Sequence, residues 1–498
     1  MLPPALCRLR VALLLVLAGS GFAATLDPSP SDSPAAATPP RGFMVLFNGR
    51  DLDGWHGWDI HAQGASPAEM EKLSDAEKAQ RFAAWTEQAR KHWRVENGEL
   101  INDGRGPYLA TVRSFGDIEL LVEYKTVPGA DSGIYLRSTP QVQIWDPNQK
   151  YDPKNPHRKP HLGSGGLFNN TPGAPGRDPL VRADKPFGQW NRFRILQIGE
   201  RTTVYLNDQL VVDHARMENY WNRKAPLPRQ GKILLQTHGG EIRWRNLFVR
   251  EIPPEEANER LRQHQAGRFR SLFNGRDLTG WTGATDAYTV EEGLIVCKPR
   301  RSGVLFTRES FTDFIARVEY RLPPGGNNGL AIRYPGKGRA STDGMCEIQL
   351  LDDDHPRYAR LDPRQFNGSA YGIAAAHRGY LRPAGQWNFL EVTVRQSTVT
   401  VELNGTRILQ ADLSTITTFK DNEPHPGIHR REGHFGFAGH SDPVAFRNIA
   451  IQPLPPSPES RGNNHCTLHP NHAEIIAQAF HPNHAEVTIA PLTRITLK

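Results

Sequence analysis

A nine-residue motif near the start of the chain returns almost unchanged in its second half. FNGRDLDGW occupies residues 47–55 and FNGRDLTGW occupies residues 273–281, so the two copies differ at a single position. A match this dense over such a separation indicates an internal duplication. The chain is therefore expected to fold as two copies of one module rather than as one large domain.

The duplication extends across both halves of the chain. The matching segments are WRVENGEL (93–100) with YTVEEGL (288–294), GDIELLVEYKTVPGADSGIYLR (116–137) with TDFIARVEYRLPPGGNNGLAIR (312–333), QVQIWD (141–146) with EIQLLD (347–352), and KPFGQWN (185–191) with RPAGQWN (382–388). Each copy spans roughly 190 to 210 residues, which is a normal size for one all-β domain.

The ends of the chain and the segment between the two copies lie outside the predicted β-domains. Arg8 and Arg10 precede a short apolar run, Val11 to Ala18, and small residues follow, as in a secretory signal. An uncleaved anchor is the alternative, although the run is too short to span a bilayer. The predicted organisation is a signal peptide (1–24), a disordered linker (25–41), a first β-sandwich (42–252), a linker with a short helix (253–267), a second β-sandwich (268–453) and a disordered tail with a repeated HPNHAE (454–498). We therefore expect a secreted or periplasmic protein.

Charge and cysteine content exclude some classes of function. The net charge is +7, and Lys and Arg are interspersed with Asp and Glu, which argues against a nucleic-acid partner. Cys297, Cys346 and Cys466 remain after the signal segment, and an odd number argues against a disulfide framework. No other stretch is apolar enough to predict a membrane span.

Within each copy the sequence predicts short strands. Segments such as 118–124, 133–137 and 203–206 alternate in polarity or are rich in β-formers, and Asn-Gly and Pro-Gly turns separate them. Many short strands with Gly and Pro turns predict a sandwich of the jelly-roll type. The second copy has only a few residues where the first copy has residues 59–92. This segment predicts a helical insertion, with Ser66 and Ser74 as helix caps, that covers a rim of the sandwich or forms a pocket wall.

Polar residues share one face of a predicted strand. Gln141, Gln143 and Trp145 are two positions apart and point the same way, and the second copy has Glu347 and Gln349 in the corresponding places. Buried unpaired amides cost about 1–3 kcal/mol each. The pattern therefore predicts a wet, concave binding face, which the long loops at 147–188 and 353–385 overhang.

Other candidate site residues recur in both copies. His238 and His440 each end a strand, and Arg137 and Arg333 fall at one aligned position. The aromatic residues Tyr135, Trp145, Trp221 and Tyr371 are candidates for stacking on sugar rings. Four tryptophans in the repeated motifs, Trp55, Trp190, Trp281 and Trp387, are expected in the core.

The acidic residues do not suit an ordinary glycosidase. A retaining glycosidase needs two carboxyl groups about 5–5.5 Å apart. The predicted site strand of the first copy carries only Gln, and that of the second carries Glu347 without a partner on the same face. The chain has no G-x-S-x-G, H-E-x-x-H or phosphate-loop motif.

Taken together, the motifs LFNGRDL-x-GW, SGIYLR, QVQIWD, KP-x-G-x-WN and the closing RN strand resemble the 3-keto-disaccharide hydrolase domain family. The resemblance covers about 42–252 and 268–453 and implies two tandem concanavalin-like jelly-roll sandwiches. The second copy departs from the pattern, because NGLAIR replaces SGIYLR and Ser441-Asp442 follows His440.

The resemblance implies cleavage of glycosides oxidised at carbon 3, by proton removal at carbon 2, elimination of the aglycone and hydration. On this reading His238 and His440 are candidate bases, and Glu347 is a rival base in the second copy. The candidate enolate or hydroxyl binders are Arg137, Arg333, Gln143 and Gln349, and the candidate substrate contacts are Gln141, Trp145, Tyr135 and Tyr371. No cofactor is identified, and a divalent cation is an alternative stabiliser of the enolate.

Two alternatives stay open. The same residues would serve a tandem, non-catalytic carbohydrate-binding protein equally well, because one fold hosts both lectins and enzymes. If the chain is an enzyme, we expect a functional link to a sugar 3-dehydrogenase that makes the keto-sugar.

Overall fold

The computed structural model describes residues 38–150 and 152–455. They form two β-sandwiches, each built from one eight-stranded and one five-stranded antiparallel sheet. The predicted fold class, all-β with two tandem concanavalin-like jelly-roll sandwiches, is confirmed. The predicted signal peptide, most of the first linker and the HPNHAE tail lie outside the described residues.

The first domain contains thirteen strands. They are β1 (Met44–Val45), β2 (Trp55–Trp58), β3 (Trp93–Glu96), β4 (Glu99–Asn102), β5 (Tyr108–Thr111), β6 (Ile118–Thr126), β7 (Ser132–Leu136), β8 (Thr139–Ile144), β9 (Asn191–Ile198), β10 (Arg201–Leu206), β11 (Gln209–Arg216), β12 (Leu234–Leu235) and β13 (Ile242–Glu251). The large sheet has the order β11-β10-β9-β6-β13-β4-β3, with β1 beside β13, and the small sheet has the order β2-β5-β12-β7-β8.

The second domain repeats this arrangement. Its strands are β14 (Arg270–Ser271), β15 (Trp281–Gly283), β16 (Tyr288–Glu291), β17 (Leu294–Cys297), β18 (Ser302–Phe311), β19 (Phe314–Arg321), β20 (Asn327–Tyr334), β21 (Cys346–Leu351), β22 (Trp387–Arg395), β23 (Thr398–Leu403), β24 (Thr406–Asp412), β25 (Gly433–His440) and β26 (Ala445–Pro453). The sheet orders β24-β23-β22-β19-β26-β17-β16 and β15-β18-β25-β20-β21 match those of the first domain, with β14 beside β26.

Helices are few and short. The α-helices are α1 (Pro67–Met70), α2 (Asp75–Ala89), α3 (Pro254–Gln263) and α4 (Ala340–Asp343). Short 3-10 helices lie at Pro160–Leu162, Ala266–Arg268, Thr285–Ala287, Pro356–Tyr358, Pro363–Gln365, Leu413–Thr415 and Lys420–Asn422. No helix among residues 38–150 and 152–455 is long and apolar enough to cross a bilayer.

Side-chain alternation places the core between the two sheets of each domain. Along β10 and β23 alternate residues are buried, as expected for strands with one face toward a core. In β7, Ile134 and Leu136 join the main core of the first domain, whereas Tyr135 joins a small cluster outside it. The outer face of the small sheet is therefore covered in the first domain by other elements.

The predicted helical insertion provides that cover. Ser66 and Ser74 precede α1 and α2, and the backbone N–H of Ser74 donates to the Glu77 carboxylate at 2.8 Å, so the predicted caps are confirmed. Helix α2 packs directly on β2. A Cβ at Gly57 would lie 2.3 Å from the carbonyl oxygen of Trp85, so only glycine allows this close approach.

The linker helix and the two large sheets bring the domains into contact. Ile198, Ile252, Ala257, Leu261 and Phe389 form one apolar cluster that includes residues of the linker and of both domains. The guanidinium of Arg201 donates to the carboxylate of Glu402 through two nitrogens, one of them at 2.9 Å.

The prediction that all four motif tryptophans are core residues is wrong for one of them. Trp55, Trp281 and Trp387 are buried. Trp190 is only half-buried, because it lies on the outer face of the large sheet between the charged groups of Lys125 and Arg245. Cys297 and Cys346 are both buried and unpaired, whereas Cys466 lies outside the described residues.

Candidate active site

The outer face of the first domain's small sheet carries a groove of about 460 Å³. Strands β5, β7 and β8 form its floor, and the insertion and the loop after β8 form its walls. The lining residues are His61, Tyr108, Asp131, Tyr135, Gln141, Gln143, Trp145, Arg158, Phe168, Asn169, Gln236 and His238. The prediction that this strand face forms a concave surface under the loop is confirmed for the first domain.

One end of the groove is polar and centres on Asp131, just before β7. Oδ2 of its carboxylate lies 3.1 Å from Nδ1 of His238 and accepts a hydrogen bond from Nη2 of Arg158 at 3.0 Å. Oδ1 accepts a hydrogen bond from Nε2 of Gln143 at 2.8 Å. Asp131 thus joins a histidine, an arginine and an amide that come from three separate parts of the chain.

His238 has the arrangement of a histidine oriented by an acid. The hydrogen bond with Asp131 raises the pKa of His238 above its ordinary value of 6.5, and partial burial opposes this shift. Its side chain is 56% exposed. Since Nδ1 is held by the carboxylate, Nε2 is the nitrogen available to a molecule in the groove.

The two glutamines of β8 form part of the same network. Nε2 of Gln141 donates to Oε1 of Gln143, and Nε2 of Gln143 in turn contacts Asp131 and the carbonyl oxygens of Ser132 and Ile144. The amide of Gln143 is therefore occupied within the protein. These contacts do not support its predicted role as an enolate binder, because its N–H groups face protein acceptors.

A missing side chain on β7 makes room for this network. Gly133 pairs with Gln143, and a Cβ at Gly133 would lie 2.9 Å from Cδ of Gln141 and 3.1 Å from Oε1 of Gln236. Gln236 is 6% exposed, and its Oε1 has no hydrogen-bond partner among the described residues. Because this oxygen is itself buried, a molecule in the groove would contact it only after the Gln236 side chain rotates.

The loop after β8 supplies the groove with a cation that the sequence did not single out. The Arg158 side chain is 36% exposed, and its guanidinium lies 5.0 Å from the ring centre of Trp145. Trp145 is buried and packs edge-on against Phe168 at 5.0 Å. The guanidinium thus lies at the polar end of the groove. It has five N–H donors, of which Asp131 accepts from one nitrogen only.

The opposite end of the groove is aromatic. The rings of Tyr108 and Tyr135 meet edge-on at 5.5 Å, and Nε2 of His61 lies 2.8 Å from the hydroxyl oxygen of Tyr135. Burial raises the pKa of both tyrosines, so both are neutral phenols at ordinary pH. His61 belongs to the insertion, which therefore forms a pocket wall.

The structure corrects the predicted place of the two recurring arginines. Arg137 follows β7 with a φ of 51°, which breaks the alternation of the strand and turns the side chain away from the groove. Its guanidinium is buried and donates to Asp117 at 2.6 Å. Arg333 is equally buried and donates to Asp313 at 2.8 Å. Neither guanidinium can reach a molecule on the outer face of its small sheet.

The second domain places a different acid beside its histidine. Oε1 of Glu347 lies 3.5 Å from Nε2 of His440, and this contact raises the pKa of His440 while burial opposes the shift. Gln349 donates through Nε2 to Oδ1 of Asn327 at 2.7 Å. The Tyr371 hydroxyl accepts from Gln365 at 2.9 Å.

Several site residues were missed from the sequence. Asp131, Arg158, Tyr108, Gln236 and His61 all line the groove. The alignment of the two copies could have drawn attention to Asp131, because the aligned residue of the second copy is Asn327. The first copy therefore has a carboxylate where the second copy has an amide. The other residues stand in the loop, the insertion or unremarkable strand positions. No group of three or more His, Cys, Asp and Glu side chains among the described residues is arranged to hold a metal ion.

Comparison with known families identifies both halves of the chain. Residues 42–250 and 268–452 each match the family described as the 3-keto-alpha-glucoside-1,2-lyase-like domain. A 3-keto-disaccharide hydrolase of Bacteroides thetaiotaomicron is 22% identical over 274 residues, an alignment that covers 46% of this chain and 86% of the relative.

Solved structures that resemble the chain cover about one domain. A Parabacteroides distasonis protein, named provisionally as a glycosyl hydrolase, is 21% identical with a TM-score of 0.35 and covers 37% of this chain and 99% of its own. A Bacillus subtilis protein of unknown function with a galectin-like fold is 14% identical with a TM-score of 0.26, covering 38% of this chain and 96% of its own.

Proposed function

This chain belongs to the 3-keto-alpha-glucoside-1,2-lyase-like domain family, and on that basis we propose that its first domain cleaves 3-keto-glycosides. The family and the 3-keto-disaccharide hydrolase relative support a carbohydrate-cleaving, glycosyl hydrolase-like activity. The further claims, that the sugar is oxidised at carbon 3 and that the reaction proceeds by elimination, are our proposal.

The chemistry requires one base and one stabiliser of negative charge. A keto group at carbon 3 acidifies the hydrogen at carbon 2, and a base removes that hydrogen as a proton. The electron pair of the broken C–H bond forms an enolate whose charge lies on the oxygen of carbon 3. The enolate then re-forms the ketone and a double bond between carbons 1 and 2, and the aglycone leaves carbon 1 and takes up a proton. Water adds its oxygen to carbon 1 and a proton to carbon 2, so the net reaction is hydrolysis.

His238 is the proposed base. Nε2 of its imidazole is free to accept the proton, because Nδ1 lies against Asp131. The resulting imidazolium is stabilised by the carboxylate, which also keeps the ring oriented. The same nitrogen is then positioned to return a proton to the departing aglycone oxygen.

Arg158 is the proposed stabiliser of the enolate oxygen. Its guanidinium stands at the same end of the groove as His238 and is partly exposed. A fixed cation beside a developing oxyanion lowers the barrier most where water is excluded. Arg158 takes the role that the sequence had suggested for Arg137.

The acid–histidine pair at the end of the groove is the observation that carries this proposal. Asp131 is the single carboxylate among the described residues lining the groove, and Gln143 and Arg158 already engage it. A double-carboxylate glycosidase would need a second acid at about 5–10 Å. An elimination that begins with one histidine needs none.

The test is the release of a chromogenic aglycone from a 3-keto-glucoside and from the plain glucoside. Release from the keto substrate alone supports elimination. His238→Ala is expected to lose turnover by at least about 100-fold while it still binds the keto substrate in calorimetry. If the wild-type protein binds sugars and releases neither aglycone, the protein is a carbohydrate-binding protein and the enzymatic proposal is wrong. An enzyme of this kind requires a separate sugar 3-dehydrogenase to supply its substrate.

A further inference from the structure

The loop after β8 holds Arg158 at the groove with little regular structure of its own. Between Ile144 and Asn191 the described residues of this loop form one short 3-10 helix and no strand. A long charged side chain on such a loop populates many conformations unless other groups fix the backbone beside it. The groups that fix this backbone therefore decide where the Arg158 guanidinium lies.

Arg177, farther along the same loop, bonds to the backbone directly beside Arg158. Its Nη1 donates to the carbonyl oxygen of His157 at 2.9 Å. The Arg177 side chain is 7% exposed, and its guanidinium lies 4.7 Å from the ring centre of Phe168. Phe168 packs against Trp145, which is the ring that the Arg158 guanidinium faces. One buried guanidinium thus supports both the backbone before Arg158 and the aromatic pair beside it.

Arg177 is itself attached to the large sheet. Its Nε donates to the carbonyl oxygen of Asn170 at 3.1 Å. Nδ2 of Asn170 donates to the carbonyl oxygen of Arg216, the last residue of β11, at 2.8 Å, and Oδ1 accepts from the backbone N–H of Glu218 at 2.9 Å. A continuous set of hydrogen bonds therefore runs from β11 through Arg177 to the residue before Arg158.

The residue after Arg158 is attached to the same place. Nζ of Lys159 donates to Oδ2 of Asp178 at 2.5 Å, and Oδ1 of Asp178 accepts from Nη1 of Arg177 at 3.4 Å. A planar guanidinium suits this junction, because its nitrogens donate in fixed directions while its face stacks on a ring. A lysine ammonium cannot make the same set of contacts.

We propose that Arg177, together with Asp178, is a positioning residue that holds the Arg158 guanidinium against Asp131 at the polar end of the groove. Arg177 is not among the residues that line the groove, so it acts through Arg158. The catalytic consequence rests on the proposed function. The placement of Arg158 does not, and it can be measured without a substrate.

The titration of His238 reports where Arg158 lies. Arg158 and His238 both contact Oδ2 of Asp131, at 3.0 and 3.1 Å. Asp131 raises the pKa of His238, and the positive charge of Arg158 lowers it. If Arg158 leaves this oxygen, the imidazolium no longer shares the carboxylate and the pKa of His238 rises.

The experiment titrates the His238 ring by NMR in Arg158→Ala, in Arg177→Lys and in the double variant, each as the full chain. Arg177→Lys keeps the positive charge, so a change reports lost contacts. Both single variants should raise the pKa of His238, and the double variant should titrate like Arg158→Ala. A wild-type titration in either single variant, or effects that add in the double variant, would overturn the proposal.

Arg137→Lys is the matched control. Arg137 is 3% exposed and also bonds to a backbone carbonyl, that of Pro228, and to a carboxylate, that of Asp117, but its side chain points away from the groove. The control should leave the His238 titration unchanged. A shift as large as that in Arg177→Lys would mean that any buried arginine has this effect, and it would overturn the assignment.

Asp178→Asn decides the question if Arg177→Lys does not fold. Asp178 is 33% exposed, so this change is mild. Loss of a negative charge would by itself lower the pKa of His238, so a rise reports that Arg158 has moved, and the absence of a rise overturns the proposal.

Kinetics test the catalytic consequence separately. On a 3-keto-glucoside, kcat of Arg177→Lys should fall about tenfold, and adding this change to Arg158→Ala should cause no further loss. Losses that multiply in the double variant would overturn the assignment. If the wild-type protein releases no aglycone, the proposed activity fails, whereas the His238 titration still decides whether Arg177 positions Arg158.

Discussion

Oδ2 of Asp131 lies 3.1 Å from Nδ1 of His238, and the second domain keeps an acid–histidine pair although its acid comes from a different strand. Asn327 stands where Asp131 would be, and Glu347 stands in the place of Gln141. The carboxylate thus comes from the residue before β7 in the first domain and from β21, which corresponds to β8, in the second. The carboxylate also contacts the other ring nitrogen, so among the described residues Nε2 of His238 and Nδ1 of His440 are the nitrogens without an acidic partner.

The pH dependence of the first site follows from this contact. A base must be unprotonated to act, and Asp131 raises the pKa of His238 above 6.5. We expect kcat/KM to fall as the pH drops through that raised pKa, with the midpoint of the acid limb above pH 6.5. In Asp131→Asn the midpoint should move to lower pH while the maximum rate decreases. A midpoint that stays in place would show that another group titrates.

The two domains place the acid of the acid–histidine pair at different positions, so substitutions in the first domain can reproduce the arrangement of the second. Asp131→Asn should lower the pKa of His238, because the carboxylate that stabilises the imidazolium is lost. Adding Gln141→Glu to that variant reproduces the arrangement of the second domain and should raise this pKa again. NMR titration of the His238 ring measures both changes. A double variant that titrates like Asp131→Asn alone would mean that Glu at position 141 does not reach the histidine.

Arg158 and Arg137 are expected to affect different properties. Arg158→Ala should lower kcat by about 100-fold, since it removes a cation from the reacting end of the groove. Arg137→Met should decrease the free energy of unfolding by about 3 kcal/mol, because it leaves the Asp117 carboxylate without its buried partner. Steady-state kinetics and urea denaturation of both variants measure these effects. A catalytic loss in folded Arg137→Met comparable to that in Arg158→Ala would restore the role suggested by the sequence.

The fit of the insertion against the sheet depends on Gly57. Gly57→Ala brings a methyl group within 2.3 Å of the Trp85 carbonyl oxygen and should decrease stability by about 1–3 kcal/mol. Gly267→Ala is the control, because nothing lies within 4 Å of a Cβ at that position. Urea denaturation should show a lower midpoint for the first variant only. Equal midpoints would mean that α2 moves away from β2 at little cost.

Much of the fold was predictable from local patterns. The duplicated motifs predicted two domains of one type, and the strand alternation and turn residues predicted the sandwich. The helix caps Ser66 and Ser74 were also recognisable, because capping depends on residues only three positions apart. The sequence also predicted correctly which face of the strand lines the groove, through Gln141, Gln143 and Trp145. Side chains two positions apart on a strand lie on the same face of the sheet.

The sequence by itself determined that the chain is a tandem β-sandwich with a polar strand face and a recurring histidine. Only the tertiary structure decided which groups meet His238, because Asp131 and Arg158 approach it from distant parts of the chain through sheet pairing and a loop without periodicity. The same holds for Arg137, whose left-handed backbone turns its side chain away from the groove and into a buried ion pair. Local patterns specify the face of a strand, whereas contacts between remote segments depend on how the sheets and loops pack.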